Sequence, residues 1–231
     1  MNTDWQLDEM AHAGHEHLDP NFVANFDRKQ NFDPAQDVDV LRRHGLGADS
    51  TLLDLAAGTG KLAVAAAPYC RRVIAVDVSP PMRRAIEQRV AAAQVTNVEV
   101  VQAGFLTYEH QGPPAHAVYT RNALHQIPDF WKVLALRRIT GWLRRGGVLC
   151  LRDLIFDTTA DDIERVIGAW FARAATDPKQ GYTAEDFAEH MRAEHSTFRW
   201  LFELMLDATG FDVLDVDYRA QVYAAYTCRR R

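Results

Sequence analysis

The chain has 231 residues, of which 48% are hydrophobic and 25% charged, and its formal net charge is -5. This length suits one domain, or one domain with an insertion, and the composition excludes a largely disordered chain. The negative charge argues against nucleic acid as a partner, because phosphate binding requires a basic surface. No apolar run is long enough to cross a bilayer, so we expect no membrane partner and a cytoplasmic location.

Cysteine usage supports the same location. Cys70, Cys150 and Cys228 are odd in number, lie in apolar segments and form no Cys-x-x-Cys pair. We predict buried free thiols in a reducing compartment and no metal site. Asp8 and Glu9 stand where a secretion signal would be basic and then apolar, so no such signal is expected.

The first 47 residues predict a helical cap. Phe22 and Phe26 share one face of a helix over 21–30, and Asp33-Pro34 opens a second helix that ends near Gly45. Three histidines lie between residues 11 and 17, but no acidic or sulfur ligand has matching spacing, so a solvated or substrate-facing segment is expected.

From residue 51 onward, short apolar runs rich in β-branched residues alternate with helical patterns. The runs cover 51–55, 73–76, 98–101, 117–120 and 147–151. Repetition of strand, helix and strand predicts a parallel sheet covered on both faces.

After Asp153 the alternation stops. Helical spacing follows in 163–171 and again in 198–206, and two strands, 211–217 and 222–227, are separated by only four residues. So short a link forces antiparallel pairing. We therefore predict an α/β protein with a doubly wound, seven-stranded, mostly parallel sheet and a final antiparallel strand pair. The main domain covers 48–231, with a helical insertion at about 158–195.

The stretch 52–63 reads LLDLAAGTGKLA, an apolar strand that leads through small residues into a helix. Gly58, Gly60 and Ala63 satisfy G-x-G-x-x-A, and Asp77 follows at the distance expected of a dinucleotide site. Asp54 disagrees with that interpretation, because a carboxylate beside a pyrophosphate repels it. The same carboxylate suits a ligand that carries an ammonium and a sulfonium.

These residues resemble class I S-adenosylmethionine-dependent methyltransferases, whose first motif is D/E-x-G-x-G-x-G. Residues 54–60, DLAAGTG, match it apart from Ala56, and alanine at that place is also found in the quinone methyltransferase branch. Asp77 ends the second strand as the family requires. Residues 121–126, RNALHQ, resemble the segment after strand four, and 145–147, RGG, stands where the family has P-G-G before strand five.

The resemblance implies S-adenosylmethionine as the cofactor. Asp54 is expected to orient the methionine amino group, Asp77 to bridge the ribose hydroxyls, and Arg121 to bind the methionine carboxylate. The family usually has an acidic residue after strand three for the adenine amino group, and Gly104 stands there instead, with Phe105 either packed on the base or in the core. The expected cofactor contacts are Asp54, Ala56, Gly58, Gly60, Asp77, Val78, Met82, Gly104, Phe105 and Arg121.

Methyl transfer requires alignment of nucleophile, methyl and sulfur, and a base only where the acceptor loses a proton. His125 is the candidate catalytic residue, as a general base or as a group that orients the acceptor, and Asp153 is expected to open onto the same crevice. We expect a small-molecule acceptor, methylated on oxygen or nitrogen with carbon an alternative, and a monomer or homodimer. The candidate acceptor contacts are Phe22, Phe26, Arg28, Asn122 and Trp170.

Two other functions fit the same turn. One is an NAD(P)-dependent oxidoreductase, and the other is a cofactor-binding protein that performs no chemistry.

Overall fold

The structure is a computed structural model that describes residues 5–30, 32–178 and 180–231. Residues 1–4 and 31, which fall in the predicted cap, and residue 179, which falls in the predicted insertion, lie outside the described residues.

The sheet forms as the alternating pattern predicts. Its strands are β1 Thr51–Leu55, β2 Arg72–Asp77, β3 Val98–Gln102, β4 Ala115–Arg121, β5 Leu143–Phe156, β6 Thr197–Phe198, β7 Phe211–Arg219 and β8 Tyr223–Arg230. Seven of them lie in the order β3-β2-β1-β4-β5-β8-β7, and β6 pairs with β5 outside this path. The first five are parallel, and β8 runs antiparallel to both β5 and β7. The predicted α/β sheet with a closing antiparallel pair is confirmed, with β6 as an eighth strand whose two residues are too few to produce a sequence pattern.

Helices cover both faces of the sheet. They are α1 Pro20–Gln30, α2 Ala35–Arg43, α3 Lys61–Ala66, α4 Pro80–Ala93, α5 Asp129–Trp142, α6 Ile163–Phe171, α7 Ala184–Ala193 and α8 Arg199–Thr209. Alternate side chains of the central strands enter two cores, one shared with α2, α3 and α4 and the other with α5 and α8. Leu52 and Leu53, neighbours on β1, are both fully buried, each in a different core. Burial on both faces explains why these strands are apolar throughout.

The strand order reverses between β1 and β4, which are neighbours although β2 and β3 intervene in the chain. Helices on the two sides of such a point diverge and leave a crevice outside the carboxyl ends of the strands. Asp54 on β1, Asp77 at the end of β2 and Arg121 at the end of β4 lie at this edge of the sheet.

A smaller apolar cluster covers the crevice next to β5. It joins Leu154 and Phe156 of β5 to Val166 and Trp170 of α6, with Phe187 of α7 packed against it. The sequence analysis missed α7, which begins with a capping box in which Thr183 and Asp186 bond reciprocally.

One further prediction is confirmed. Cys70, Cys150 and Cys228 are buried and unpaired. Among the described residues, none of the helices combines the length and the apolar character needed to cross a membrane.

Candidate active site

A cavity of about 850 Å³ occupies the crevice at the carboxyl edge of the sheet. Its walls come from the N-terminal segment, the glycine-rich turn, the ends of β2, β3 and β4, and α7. Of the sixteen predicted site residues, fourteen line it, and Gly60 and Arg28 do not.

The glycine-rich turn follows β1 in a left-handed backbone conformation. Gly58 has φ +56° and Gly60 has φ +78°, values that glycine adopts without steric penalty. A Cβ at Gly60 would lie 3.0 Å from Ile86, so this glycine also lets α4 pack against the turn. Ala56 has φ +53°, so the residue that departs from the family motif adopts a conformation that favours glycine.

Asp54 has one carboxylate oxygen without a partner. It is 2% exposed, lines the cavity, and its Oδ2 has no hydrogen-bond partner among the described residues. Burial, followed by the negative charge of Asp77, raises its pKa to about 8. Such a group gains a partner and its charge when a cation binds beside it. This orphaned oxygen is the observation that fits an ammonium-bearing ligand.

Asp77 is fixed by the backbone around it. Its Oδ2 accepts a hydrogen bond from Gly58 N at 2.8 Å and its Oδ1 accepts one from Ser79 N at 2.9 Å. Burial raises its pKa to about 6, although these two bonds act in the opposite direction. Val78 and Met82 follow it along the cavity wall.

Arg121 lies at the end of β4 beside a buried acidic residue. Its Nη1 is 3.6 Å from Asp37 Oδ2, and its guanidinium lies 4.3 Å above the ring of Phe32. Its buried Nε has no hydrogen-bond partner within the described part of the chain. Arg152 shares the charge of Asp37 through a 2.9 Å bond. Arg121 therefore keeps a donor free at the cavity.

The N-terminal segment supplies an acidic residue that the sequence analysis did not find. Glu9 is 6% exposed and accepts hydrogen bonds from Leu106 N at 3.0 Å and Thr107 N at 3.1 Å. A Cβ on Gly104 would lie 2.4 Å from the Glu9 carboxylate. Glu9 thus occupies the space that a side chain at position 104 would take. No local signal marks it, because 95 residues separate it from Gly104.

Helix α1 is fixed over the glycine-rich turn. Asp27 accepts a hydrogen bond from Thr59 Oγ1 at 2.5 Å and pairs with Arg89 of α4. This places the ring of Phe26 3.4 Å from a Cβ built on Gly58, and Phe22 lies beside it on the cavity wall.

The prediction for Arg28 is wrong. Its side chain is exposed, bonds to Asn25 Oδ1 at 2.7 Å on the same helix, and lies outside the cavity. The same face of α1 cannot present both Phe26 and Arg28, which are two residues apart.

His125 lies at the centre of a buried cluster. Its Nδ1 contacts Asp153 Oδ1, and its Nε2 lies 3.2 Å from Glu194 Oε2. Asp153 lies behind the imidazole rather than on the cavity wall and accepts hydrogen bonds from Leu124 N and Leu154 N. Burial acts to lower the pKa of His125, but the two carboxylates outweigh it and raise the pKa to about 10.

His190 completes this cluster from α7. Its Nδ1 contacts Glu194 Oε2, and its Nε2 lies 2.8 Å from Ser196 Oγ. Burial would raise the pKa of Glu194, but the two histidines outweigh it and hold the pKa well below its usual range.

Two predicted acceptor residues, Asn122 and Trp170, line the cavity. Asn122 has φ +49°, a conformation that asparagine tolerates, and its N–H donates to the Arg152 carbonyl at 2.8 Å. Trp170 is 3% exposed, stacks on Phe187 at 4.2 Å and donates to Tyr223 Oη at 3.1 Å. Phe105 is 7% exposed and belongs to the main core while its edge lines the cavity.

Comparison with known proteins agrees with this geometry. Residues 52–147 match the methyltransferase domain family. An uncharacterized methyltransferase of Anoxybacillus flavithermus is 25% identical over 164 residues, which is 71% of this chain and 70% of that protein.

Two solved structures show the same fold. A SAM-dependent methyltransferase from Aquifex aeolicus has a TM-score of 0.61 at 18% identity and covers 92% of this chain and 99% of its own. Magnesium protoporphyrin IX methyltransferase from Synechocystis, solved with bound SAM, has a TM-score of 0.67 at 12% identity over 99% of this chain and 100% of its own.

The domain match begins on β1 and includes the glycine-rich turn, Asp77 and the segment after β4. Within it lies the buried, unpartnered carboxylate of Asp54. Residues 52–147 thus match a methyltransferase domain, and the motif, the fold and these relatives together support an S-adenosylmethionine-dependent methyltransferase of class I.

Proposed function

We propose that the protein methylates an oxygen or nitrogen atom of a small, partly apolar molecule. The main support for this function is the cavity, which is lined by Asp54, Asp77, His125 and the aromatic side chains of the cap. S-adenosylmethionine supplies a methyl group on a cationic sulfur, and that sulfur is itself the leaving group. A cavity of about 850 Å³ suits a small molecule that fits inside it rather than a polymer.

Each wall has a proposed role in holding the cofactor. Asp54 accepts the ammonium, Arg121 donates its free Nε to the methionine carboxylate, and Asp77 accepts the ribose hydroxyls. Glu9 stands beside Gly104, where the family places its acidic residue, so we assign it to the adenine amino group.

His125 is the group that we place against the acceptor. Both of its ring nitrogens already face carboxylates, so its proposed role is to orient the acceptor rather than to remove a proton. Phe22, Phe26 and Trp170 supply apolar walls around it. In this proposal the N-terminal segment 1–47 and the insertion 158–195 form the cap over the cavity. A monomer or homodimer, membership of the quinone methyltransferase branch and a cytoplasmic location stay predictions.

A thermal-shift comparison with S-adenosylhomocysteine and NADH tests the cofactor assignment. We expect S-adenosylhomocysteine to raise the melting temperature and NADH to leave it unchanged. Stabilisation by NADH alone would support the oxidoreductase alternative.

A second assay tests the acceptor class. Incubation with S-adenosylmethionine and a panel of small hydroxyl- and amine-bearing metabolites is expected to release S-adenosylhomocysteine, measured by mass spectrometry. Binding of the cofactor without turnover on the panel or on a metabolite extract would support the catalytically silent alternative.

A further inference from the structure

The cluster of His125, His190 and Glu194 converges on one point at the cavity wall. One ligand atom from each residue lies within 4.8 Å of the other two. Glu194 Oε2 is 3.2 Å from His125 Nε2 and contacts His190 Nδ1, yet it makes no regular hydrogen bond with either nitrogen. In a tetrahedral zinc site with bonds of about 2.0–2.1 Å, ligand atoms lie about 3.3 Å apart. The distance from His125 Nε2 to Glu194 Oε2 therefore matches a metal site, whereas His190 Nδ1 and Glu194 Oε2 lie closer together and would move apart to admit an ion.

The second nitrogen of each imidazole is held from behind. His125 Nδ1 contacts Asp153, and His190 Nε2 lies 2.8 Å from Ser196 Oγ. Metal-binding histidines almost always have such an outer partner, which fixes the tautomer and the ring orientation. Here it leaves His125 Nε2, which also lies 3.2 Å from Gln126 Nε2, and His190 Nδ1 directed at Glu194.

The charge of the site also calls for a cation. Two carboxylates, the buried Asp153 and the partly exposed Glu194, lie beside two imidazoles that are neutral when they bind a metal. Isolated charges are expensive to bury, and a divalent ion would neutralise both. Without an ion, the protons shared between the histidines and the carboxylates neutralise this charge.

We infer that His125, His190 and Glu194 bind a divalent transition-metal ion, with Asp153 and Ser196 positioning the two imidazoles. Two histidines and one carboxylate form a ligand set typical of catalytic zinc and of open non-haem iron sites. The set does not suit Mg²⁺, which prefers oxygen ligands. No metal site was expected from the cysteines or from the N-terminal histidines, and this cluster gives no local signal because His125 follows β4 whereas His190 and Glu194 lie at the end of α7.

The ion has a function in methyl transfer, and this step rests on the proposed function. All three ligand residues line the cavity, so the remaining coordination positions face the acceptor. A hydroxyl oxygen that binds there loses its proton to solvent more readily. The oxygen–methyl bond then forms while the sulfur–methyl bond breaks, and that bond's electron pair stays on sulfur. The inferred substrate class is therefore a small molecule with an acidic or chelating hydroxyl group.

Titration of the metal-free protein with Co²⁺ tests the inference, because cobalt bound to nitrogen and oxygen ligands absorbs visible light. We expect one Co²⁺ per chain, displaced by Zn²⁺ and not by Mg²⁺. Glu194→Gln, which keeps the side-chain shape, and His190→Asn should weaken binding by more than the roughly 10–100-fold that loss of an outer partner costs. Circular dichroism of each variant shows whether it folds.

Two histidine variants serve as controls. His44→Ala removes an exposed histidine at the end of α2, and His15→Ala removes one from the N-terminal segment that lines the same cavity. Both should bind Co²⁺ as the wild type does. Absence of Co²⁺ binding, equal binding by Glu194→Gln, or loss of binding in His15→Ala would overturn the site.

S-adenosylhomocysteine binding is measured by calorimetry on the same samples. Failure of that ligand to bind refutes the proposed function and leaves the cobalt result to decide the metal site by itself. Binding of S-adenosylhomocysteine without cobalt refutes the metal site alone.

Discussion

Asp54 is the residue on which cofactor selectivity depends. It is almost fully buried, and one of its oxygens has no partner, so the folded chain holds a costly group ready for a cation. A pyrophosphate would place further negative charge beside it. The carboxylate of Asp54 beside the glycine-rich turn therefore distinguishes this site from the dinucleotide-binding sites that share the glycine pattern.

Asp54→Asn should weaken binding of S-adenosylhomocysteine by about 100-fold, because charge-assisted hydrogen bonds to a buried carboxylate contribute roughly 1.5–3 kcal/mol each. Isothermal titration calorimetry measures the change. Asp49→Asn, an exposed residue in the loop before β1, is the matched control and should bind as the wild type does. Equal affinity in the two variants would remove Asp54 from the cofactor site.

Ala56 adopts a left-handed conformation at φ +53°, which costs an L-residue with a Cβ about 1–2 kcal/mol relative to glycine. Ala56→Gly should therefore raise the free energy of unfolding by about 0.5–1 kcal/mol, after glycine's greater freedom in the unfolded chain is subtracted. Urea denaturation checks this value. Ala65→Gly in helix α3 has no such strain to relieve and should lower stability by up to about 1 kcal/mol.

At the scale of elements, the N-terminal segment is a wall of the cofactor site. Glu9 is anchored on the backbone after β3, and Asp27 of α1 is anchored on the glycine-rich turn and α4. These contacts connect the segment to three separate parts of the cavity. The segment should therefore close more tightly when the cofactor is bound.

Glu9→Gln should weaken S-adenosylhomocysteine binding about 10-fold. In the wild type two backbone N–H groups donate to the Glu9 carboxylate, whereas the glutamine amide would face one of them with its own donor. S-inosylhomocysteine, which lacks the adenine amino group, separates recognition from folding. The wild type should prefer the adenine compound, and the variant should lose most of that preference. An unchanged preference would show that Glu9 only fixes the segment, and Glu87→Gln on the exposed face of α4 is the control.

At the scale of the whole molecule, the two buried aspartates couple cofactor binding to stability. Their pKa values are raised, to about 8 for Asp54 and about 6 for Asp77, above ordinary values near 4. A raised pKa means that the folded state binds the proton more tightly than the unfolded state. Its stabilising contribution is complete below about pH 4 and is lost as pH rises through the folded-state pKa.

As the pH rises from 5 to 8, the free energy of unfolding of the ligand-free wild type should therefore fall relative to that of Asp54→Asn. The expected fall is about 2–4 kcal/mol in total, with a slope of at most about 1.4 kcal/mol per pH unit. Urea denaturation of both proteins across this range measures the difference, in which the titrating groups that do not interact with Asp54 cancel. Saturation with S-adenosylhomocysteine should reverse the trend for the wild type only, since its ammonium favours the ionised carboxylate. A constant difference across this range would show that Asp54 stays ionised without ligand.

Local sequence was sufficient for the main sheet. Apolar β-branched runs become β1 to β5, and the short link after residue 217 forces β7 and β8 into an antiparallel pair. The hydrophobic pattern of the sequence does not reveal β6, which has only two residues. It does not reveal α7 either, because the apolar face of that helix is set by the contact between Phe187 and Trp170. Arg28 shows the opposite error, because a residue near aromatic side chains in the sequence points away from them on the helix.

What the sequence by itself determined is the cofactor half of this protein, because the carboxyl ends of parallel strands meet at one edge and the motif residues follow those strands. Asp54, the glycines and Asp77 need only this local order to come together. What the tertiary structure alone decided is the other half. Glu9 reaches Gly104 across 95 residues, and His190 and Glu194 reach His125 from the far end of the insertion. Such contacts depend on how the cap packs over the sheet, and that packing leaves no periodic signal in the chain.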